Sequence, residues 1–147
     1  MPNRTTRPTP RNLTTLRPAP HPWPTLTVPL APGNTAALTH LRALAQRALR
    51  SWNIPDEKAE EILVVLSELA TNALIHTDGP AEIRLAHRAG QIRLDVSDTS
   101  TEQPDQKTGP TDGEHGYGLA LIATALADEI TCTARRNGKT ITARFLV

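Results

Sequence analysis

Three short blocks of this sequence carry residue types that could do chemistry. In the first, Glu68, Asn72 and His76 recur every fourth residue in a segment of helical periodicity, so a helix aligns them as one stripe. Ile62, Leu66, Leu69 and Ala73 fall on the adjoining face and point to the core, which puts the stripe at the core's margin, where a pocket can form. A carboxylate one turn from a carboxamide can share a magnesium–water–phosphate assembly: the amide oxygen ligates the hard cation, and the carboxylate orients or deprotonates a nucleophile. The second block is Asp98, which ends the run Leu94-Asp95-Val96-Ser97-Asp98. A carboxylate at a strand mouth can accept a hydrogen bond from an exocyclic amine such as that of adenine. The third is Gly113-Glu114-His115-Gly116-Tyr117-Gly118-Leu119. Its glycines permit positive φ and close backbone approach, and the helix start behind them offers unpaired N–H groups to a phosphate chain.

Each block has a plainer reading. Glu-x-x-x-Asn alone describes a solvated helix flank, Asp98 a turn start before Thr99 and Ser100, and the glycines a flexible loop. The order of the blocks excludes two common nucleotide sites. No Gly-Lys-Ser/Thr is present for a P-loop, and the glycine segment does not follow a first strand as a dinucleotide fingerprint requires.

The elements that must position these residues are legible from periodicity. Residues 1–24 hold seven of the thirteen prolines among threonines and arginines, and read as a disordered leader before a single domain over 25–147. Thr25–Leu30 alternates as a strand. Gly33-Asn34 precedes a helix over Ala36–Trp52, with Leu38, Leu41, Leu44, Ala45, Ala48 and Leu49 at helical spacing. After Asn53-Ile54-Pro55, Asp56 can cap a second helix that runs to about Ile75, with Glu57, Glu60 and Glu61 complementing its positive end. Glu82–His87 and Gln91–Ser97 alternate as strands joined at Ala89-Gly90. Residues 99–116 lack apolar periodicity and suit a binding loop or lid. A helix over Tyr117–Asp128 and two strands, Glu129–Arg136 and Thr140–Val147, turning at Asn137-Gly138, complete the chain. The expected fold is an α/β (α+β) two-layer sandwich, a mainly antiparallel sheet with helices on one face.

Composition narrows the function classes. No apolar run approaches membrane-spanning length, and the Pro- and Arg-rich start has no apolar stretch of a secretory signal, which suits a cytoplasmic protein. The single cysteine, Cys132, excludes an intramolecular disulfide and reads as a small buried hydrophobe in its strand. Net charge is +1, yet seven of the sixteen basic residues precede Asp56, the first acidic one, so the remainder is acidic. The basic segment has no dense run or interleaved aromatics, which argues against nucleic acid.

Taken together, Glu68-Leu-Ala-Thr-Asn72-Ala-Leu-Ile-His76 on a helix, Asp98 after a strand, and a loop closing on Gly116-Tyr-Gly118-Leu119 resemble the GHKL ATPase superfamily. That group includes gyrase B-type subunits, histidine-kinase catalytic domains and anti-sigma-factor serine kinases. The first block resembles its N box, Asp98 its first glycine box and Gly113–Leu119 its second. The short length, Ser67-Glu-Leu-Ala-Thr-Asn-Ala73, Gly118-Leu-Ala-Leu-Ile122 and Gly138-Lys-Thr-Ile141 look most like the small bacterial anti-sigma regulatory factors. The resemblance implies ATP and magnesium as ligands, with Glu68 as general base and Asn72 as magnesium ligand. It implies further that Asp98 reads the adenine amine, that Gly113, Gly116, Gly118 and Leu119 surround the phosphates, and that Thr140 supports the adenine end. His76 is a neighbour of the site rather than a catalyst. The implied activity is a serine/threonine kinase acting on an anti-sigma antagonist, with sequestration of a sigma factor, and a homodimer is compatible with it. The competing reading is a non-catalytic module in which ATP sets a conformation that a partner protein reads; it is motivated by Ser100, which stands where the first glycine box usually has glycine. A histidine-kinase fragment fits less well, because His40 lacks a following acidic residue.

Overall fold

The computed structural model describes residues 23–100 and 117–147, with side chains of the second stretch from Ile122 onward. Most of the leader and residues 101–116 of the expected loop lie outside these. Five strands and three helices follow one another as β1 (Thr25–Leu30), α1 (Ala37–Ser51), α2 (Asp56–His76), β2 (Ala81–Arg88), β3 (Gln91–Asp98), α3 (Tyr117–Leu126), β4 (Glu129–Arg135) and β5 (Gly138–Leu146). The sheet order is β1-β2-β3-β5-β4 and every pair is antiparallel.

Alternation in the strands decides which face is covered. Val28 and Leu30, Ala81, Ile83 and Leu85, Ile92, Leu94 and Val96, and Ile141, Ala143 and Phe145 are all buried and share one face. The helices pack there: α2 lies against β2 and β3, α1 against β1 and α2, and α3 against α2 and β4. The expected sandwich is therefore the observed one.

α2 is buried almost all round, with Ala59, Ile62, Leu63, Val65, Leu66, Leu69, Ala70, Ala73 and Leu74 inside, because it has a helix on either side as well as the sheet beneath. α1 buries only Leu41, Ala45 and Leu49, the narrow stripe of a helix with one wet side. Arg42 ties the two together, donating to Ser67 Oγ at 3.3 Å and pairing with Glu60 at 3.2 Å. Trp52, just beyond α1, stacks on His87 of β2 with ring centroids 5.8 Å apart.

Some expectations shift. Asp56 is the first residue of α2 and makes no capping bond; Pro55 holds the flanking position, and its carbonyl accepts from Ala59 N–H. Asp56 and Glu57 still place negative charge on the first turn. The last hairpin turns at Arg136-Asn137 rather than Asn137-Gly138, since Gly138 already pairs with Arg135. Cys132 is exposed instead of buried. It has the parity of the covered face, but β4 is an edge strand, and most of that strand is exposed. Among the described residues no helix is long and apolar enough to cross a membrane.

Candidate functional site

The α2 stripe lies where its periodicity puts it. Glu68 and Asn72 are half-buried at the edge of the core and His76 is exposed. Among the described residues, no hydrogen bond or ion pair engages the side chains of Glu68 and Asn72, whereas their neighbour Ser67 donates to the Leu63 carbonyl at 2.8 Å. Their polar atoms are open to solvent rather than buried unpaired, so both side chains are accessible to a polar ligand. Among the described residues no group of His, Cys, Asp and Glu forms a metal cage. A magnesium ion here would be of the kind held by one protein oxygen together with phosphate oxygens, and Asn72 supplies such a donor.

α2 and β3 end side by side. Thr77 closes the helix by donating to the Ala73 carbonyl at 2.6 Å, and Gly79 then packs so tightly on Thr99 that a Cβ at position 79 would collide with the Thr99 side chain. Asn72 is thus about 6 Å and Glu68 about 12 Å along the helix axis from the end of α2 that borders the β3 exit.

At that exit Asp98 is buried, with its side chain only 4% exposed. Its Oδ1 accepts the Ser100 N–H at 2.9 Å, so Ser100 closes a local turn on the carboxylate. Its Oδ2 faces Lys139 Nζ at 3.7 Å, and the lysine side chain is itself only 12% exposed. The two are register partners across β3 and β5, on the helix-facing side of the sheet. Gly138 makes the approach feasible: its φ is +155°, and a Cβ there would run into the Asp98 carbonyl.

Thr140 is one residue on and therefore points the other way. It pairs with Ser97, hydroxyl to hydroxyl at 2.9 Å, on the sheet face that carries Asp95, Thr142 and Arg144, against which no helix packs among the described residues. The structure brings Glu68, Asn72 and Asp98 to one end of the covered face and leaves Thr140 on the opposite face. Gly118 and Leu119 belong to the first turn of α3, which packs on α2; Gly113 and Gly116 lie outside the described residues. The residue that sequence reading passed over is Lys139. Its parity with Ile141, Ala143 and Phe145 was the available signal. Cys132 stands near enough to feel the same pair: desolvation pushes its thiol pKa up, with Lys139 opposing and Asp98 adding.

The comparisons with known proteins follow from this fold. No curated protein matches the sequence. Among solved structures, the RsbU and RsbW domains of Rv1364c from Mycobacterium tuberculosis superpose with a TM-score of 0.63 at 22% identity, over 84% of this chain and 32% of that one. SiaB–SiaC from Pseudomonas aeruginosa gives 0.61 at 12% identity, over 83% and 88%. The blue-light-activated histidine kinase EL346 of Erythrobacter litoralis gives 0.51 at 26% identity, over 63% and 31%. The chain thus spans about a third of the length of the mycobacterial and Erythrobacter structures. The profile of the histidine kinase-like ATPase domain matches residues 31–145. With that match over well more than half of its length, the chain belongs to the histidine kinase-like ATPase domain family, a family of ATP-binding domains.

Proposed function

We propose that this chain is an ATP- and magnesium-dependent serine/threonine kinase of the anti-sigma regulatory type. Its substrate is a protein antagonist, and its second role is to hold a sigma factor. One observation carries the reading: Glu68 and Asn72 stand half-buried and, among the described residues, without hydrogen-bond or ion-pair partners, one turn apart, on the helix that ends beside the buried Asp98.

In this reading Asp98 accepts from the adenine amine, and Asn72 offers its amide oxygen to magnesium. Gly113, Gly116, Gly118 and Leu119 take the phosphate-binding role that the family resemblance implies for them. Magnesium, when bound, offsets phosphate charge and orients the terminal group. Glu68 takes the proton of the incoming serine or threonine hydroxyl. That oxygen forms its bond to the γ-phosphorus as the bond to the β–γ bridging oxygen breaks, and ADP leaves. A protein substrate is supported by two relatives: one chain joins an RsbU to an RsbW domain, and SiaB is found in complex with SiaC.

The test is transfer of label from γ-labelled ATP to candidate antagonist proteins, with and without magnesium. Glu68→Gln should lower transfer by roughly a hundredfold or more while ATP binding stays within a few-fold. Transfer that is indifferent to Glu68→Gln removes its catalytic role. A second reading, ATP as a conformational signal without turnover, is favoured by one feature: the Ser100 N–H and Lys139 both already engage Asp98. Tight ATP binding with no transfer at saturation would select it.

A further inference from the structure

We propose that β4 is a pairing edge for a second copy of this chain, in an antiparallel register centred on Cys132 that sets Glu129 of each copy opposite Arg135 of the other. The two ends of the sheet are built differently. β1 carries Pro29, which has no N–H to offer and blunts that edge. β4, at the other end, has no proline, and all of its residues but Ile130 are exposed. Among the described residues no strand pairs with its outer side. The hairpin decides which groups lie on that side. A two-residue turn makes Arg135 and Gly138 the hydrogen-bonded closing pair, and bonding alternates from there. Backbone N–H and C=O groups of Glu129, Thr131, Thr133 and Arg135 therefore face β5, and those of Ile130, Cys132 and Ala134 face outward. The outward set is symmetric about Cys132, the middle residue of the seven-residue strand. A two-fold axis at that residue, perpendicular to the sheet, pairs Cys132 with its own counterpart and Ile130 with Ala134, donors to acceptors.

The side chains select this register. Glu129, Thr131, Thr133 and Arg135 share the sheet face of Thr140, Thr142 and Arg144. On it the axis brings Glu129 opposite Arg135 at both ends of the seam, with Thr131 opposite Thr133 between them. A shift of two residues is the smallest that keeps every side chain on its own face. In one direction it sets Glu129 opposite Thr133, in the other Arg135 opposite Thr131, and both charge pairs are lost. Within its own chain Glu129 meets Arg144 through Oε2 at 3.2 Å, and Arg135 reaches the Thr140 hydroxyl at 3.5 Å. Glu129 Oε1 and further N–H groups of Arg135 are left for the second copy. Exposed pairs of this kind add little affinity; they set the register, while the backbone bonds make the contact. A strand that is its own complement under a two-fold axis fits a second copy rather than an unrelated strand.

The experiment is sedimentation equilibrium of the full chain, joined to charge reversal and cysteine cross-linking. The native chain should show a concentration-dependent dimer. Glu129→Arg and Arg135→Glu each set like charges opposite one another at both ends, and should raise the dissociation constant about tenfold or more. The double variant restores opposite charges and should return to within about threefold of the native value. Register is read with single cysteines in a Cys132→Ser background, oxidised by copper phenanthroline. Ile130→Cys mixed with Ala134→Cys should form a disulfide-linked dimer, since opposed residues lie about 5.5 Å apart, within disulfide reach. Either variant alone should not, because two copies of one position are offset by four residues, about 13 Å. A native chain that stays monomeric at about 1 mM, the weak end of specific association, overturns the proposal. So does a dimer that neither reversal weakens, a double variant as weak as the single ones, or cross-linking through one of these positions alone. If a charge variant does not fold by circular dichroism, the cross-linking arm decides.

Discussion

Gly138 is the position where local geometry, strand pairing and the site meet, and substituting it tests all three. Gly138→Ala adds one carbon at φ +155°, a region that residues with a Cβ avoid, and directs it at the Asp98 carbonyl. The backbone term costs about 1–3 kcal/mol. Relief of the overlap requires β3 and β5 to separate where they pair, a displacement comparable to overpacking and worth about 1–3 kcal/mol more. Gly90→Ala is the internal control. Gly90 also has a positive φ, +73°, but a Cβ there meets nothing within 4 Å, so it carries only the backbone term. Against a stability of about 5–15 kcal/mol, the first change removes a large share and the second a small one. At roughly 3–4 °C per kcal/mol for a domain of this size, Gly138→Ala should melt on the order of 10–15 °C lower and Gly90→Ala about 5 °C lower. Thermal unfolding by circular dichroism, with urea titration alongside, reads both. Equal losses for the two variants would refute the argument that β5 enters the sheet hard against the Asp98 backbone.

Other outcomes follow from the same structure. Phe145→Ala empties the largest fully buried side chain among the described residues and should cost about 3–5 kcal/mol by urea denaturation; a loss under 1 kcal/mol would contradict its place in the core. Arg42→Ala breaks an exposed ion pair with Glu60 and one bond to Ser67, and should cost no more than about 1 kcal/mol in the same assay. Cys132 has a raised thiol pKa, so its thiolate appears only at higher pH than in the unfolded chain. The pH midpoint of iodoacetamide alkylation should therefore lie higher for the native protein than in urea, and higher still in Lys139→Met, since the lysine charge opposes the shift. A native midpoint at or below the unfolded one would reverse the sign and the cause.

What could be read in advance was whatever a single period encodes. The helical spacing of Ile62, Leu66, Leu69 and Ala73 fixed the buried face of α2, and with it the marginal position of Glu68 and Asn72. Alternation fixed the strands and the covered face. Features set by tertiary context escaped. That β4 is an edge follows from the order β1-β2-β3-β5-β4, and no local pattern in Ile130-Thr-Cys132 announces it, so Cys132 was placed inside. The turn of the last hairpin was misplaced by one residue, because Asn-Gly suits a turn while Gly138 is required one step later, inside the ladder.

Thr140 and Lys139 show how the two kinds of information combine. The resemblance directs attention to the threonine, yet strand parity does not: Ile141, Ala143 and Phe145 face the helices, so Thr140 shares the other face with Thr142 and Arg144. By the same parity Lys139 inherits the covered side. A lysine at an apolar position of an alternating strand is a readable anomaly, since burying an ammonium is unfavourable unless a carboxylate meets it. Which carboxylate does so is a question of register between β3 and β5, strands separated in the chain by residues 99–137, which include a helix and a third strand. Asp98 was legible as a candidate reader and Lys139 as an oddly placed charge. That they form one buried ion pair depends on pairing that only the folded sheet supplies.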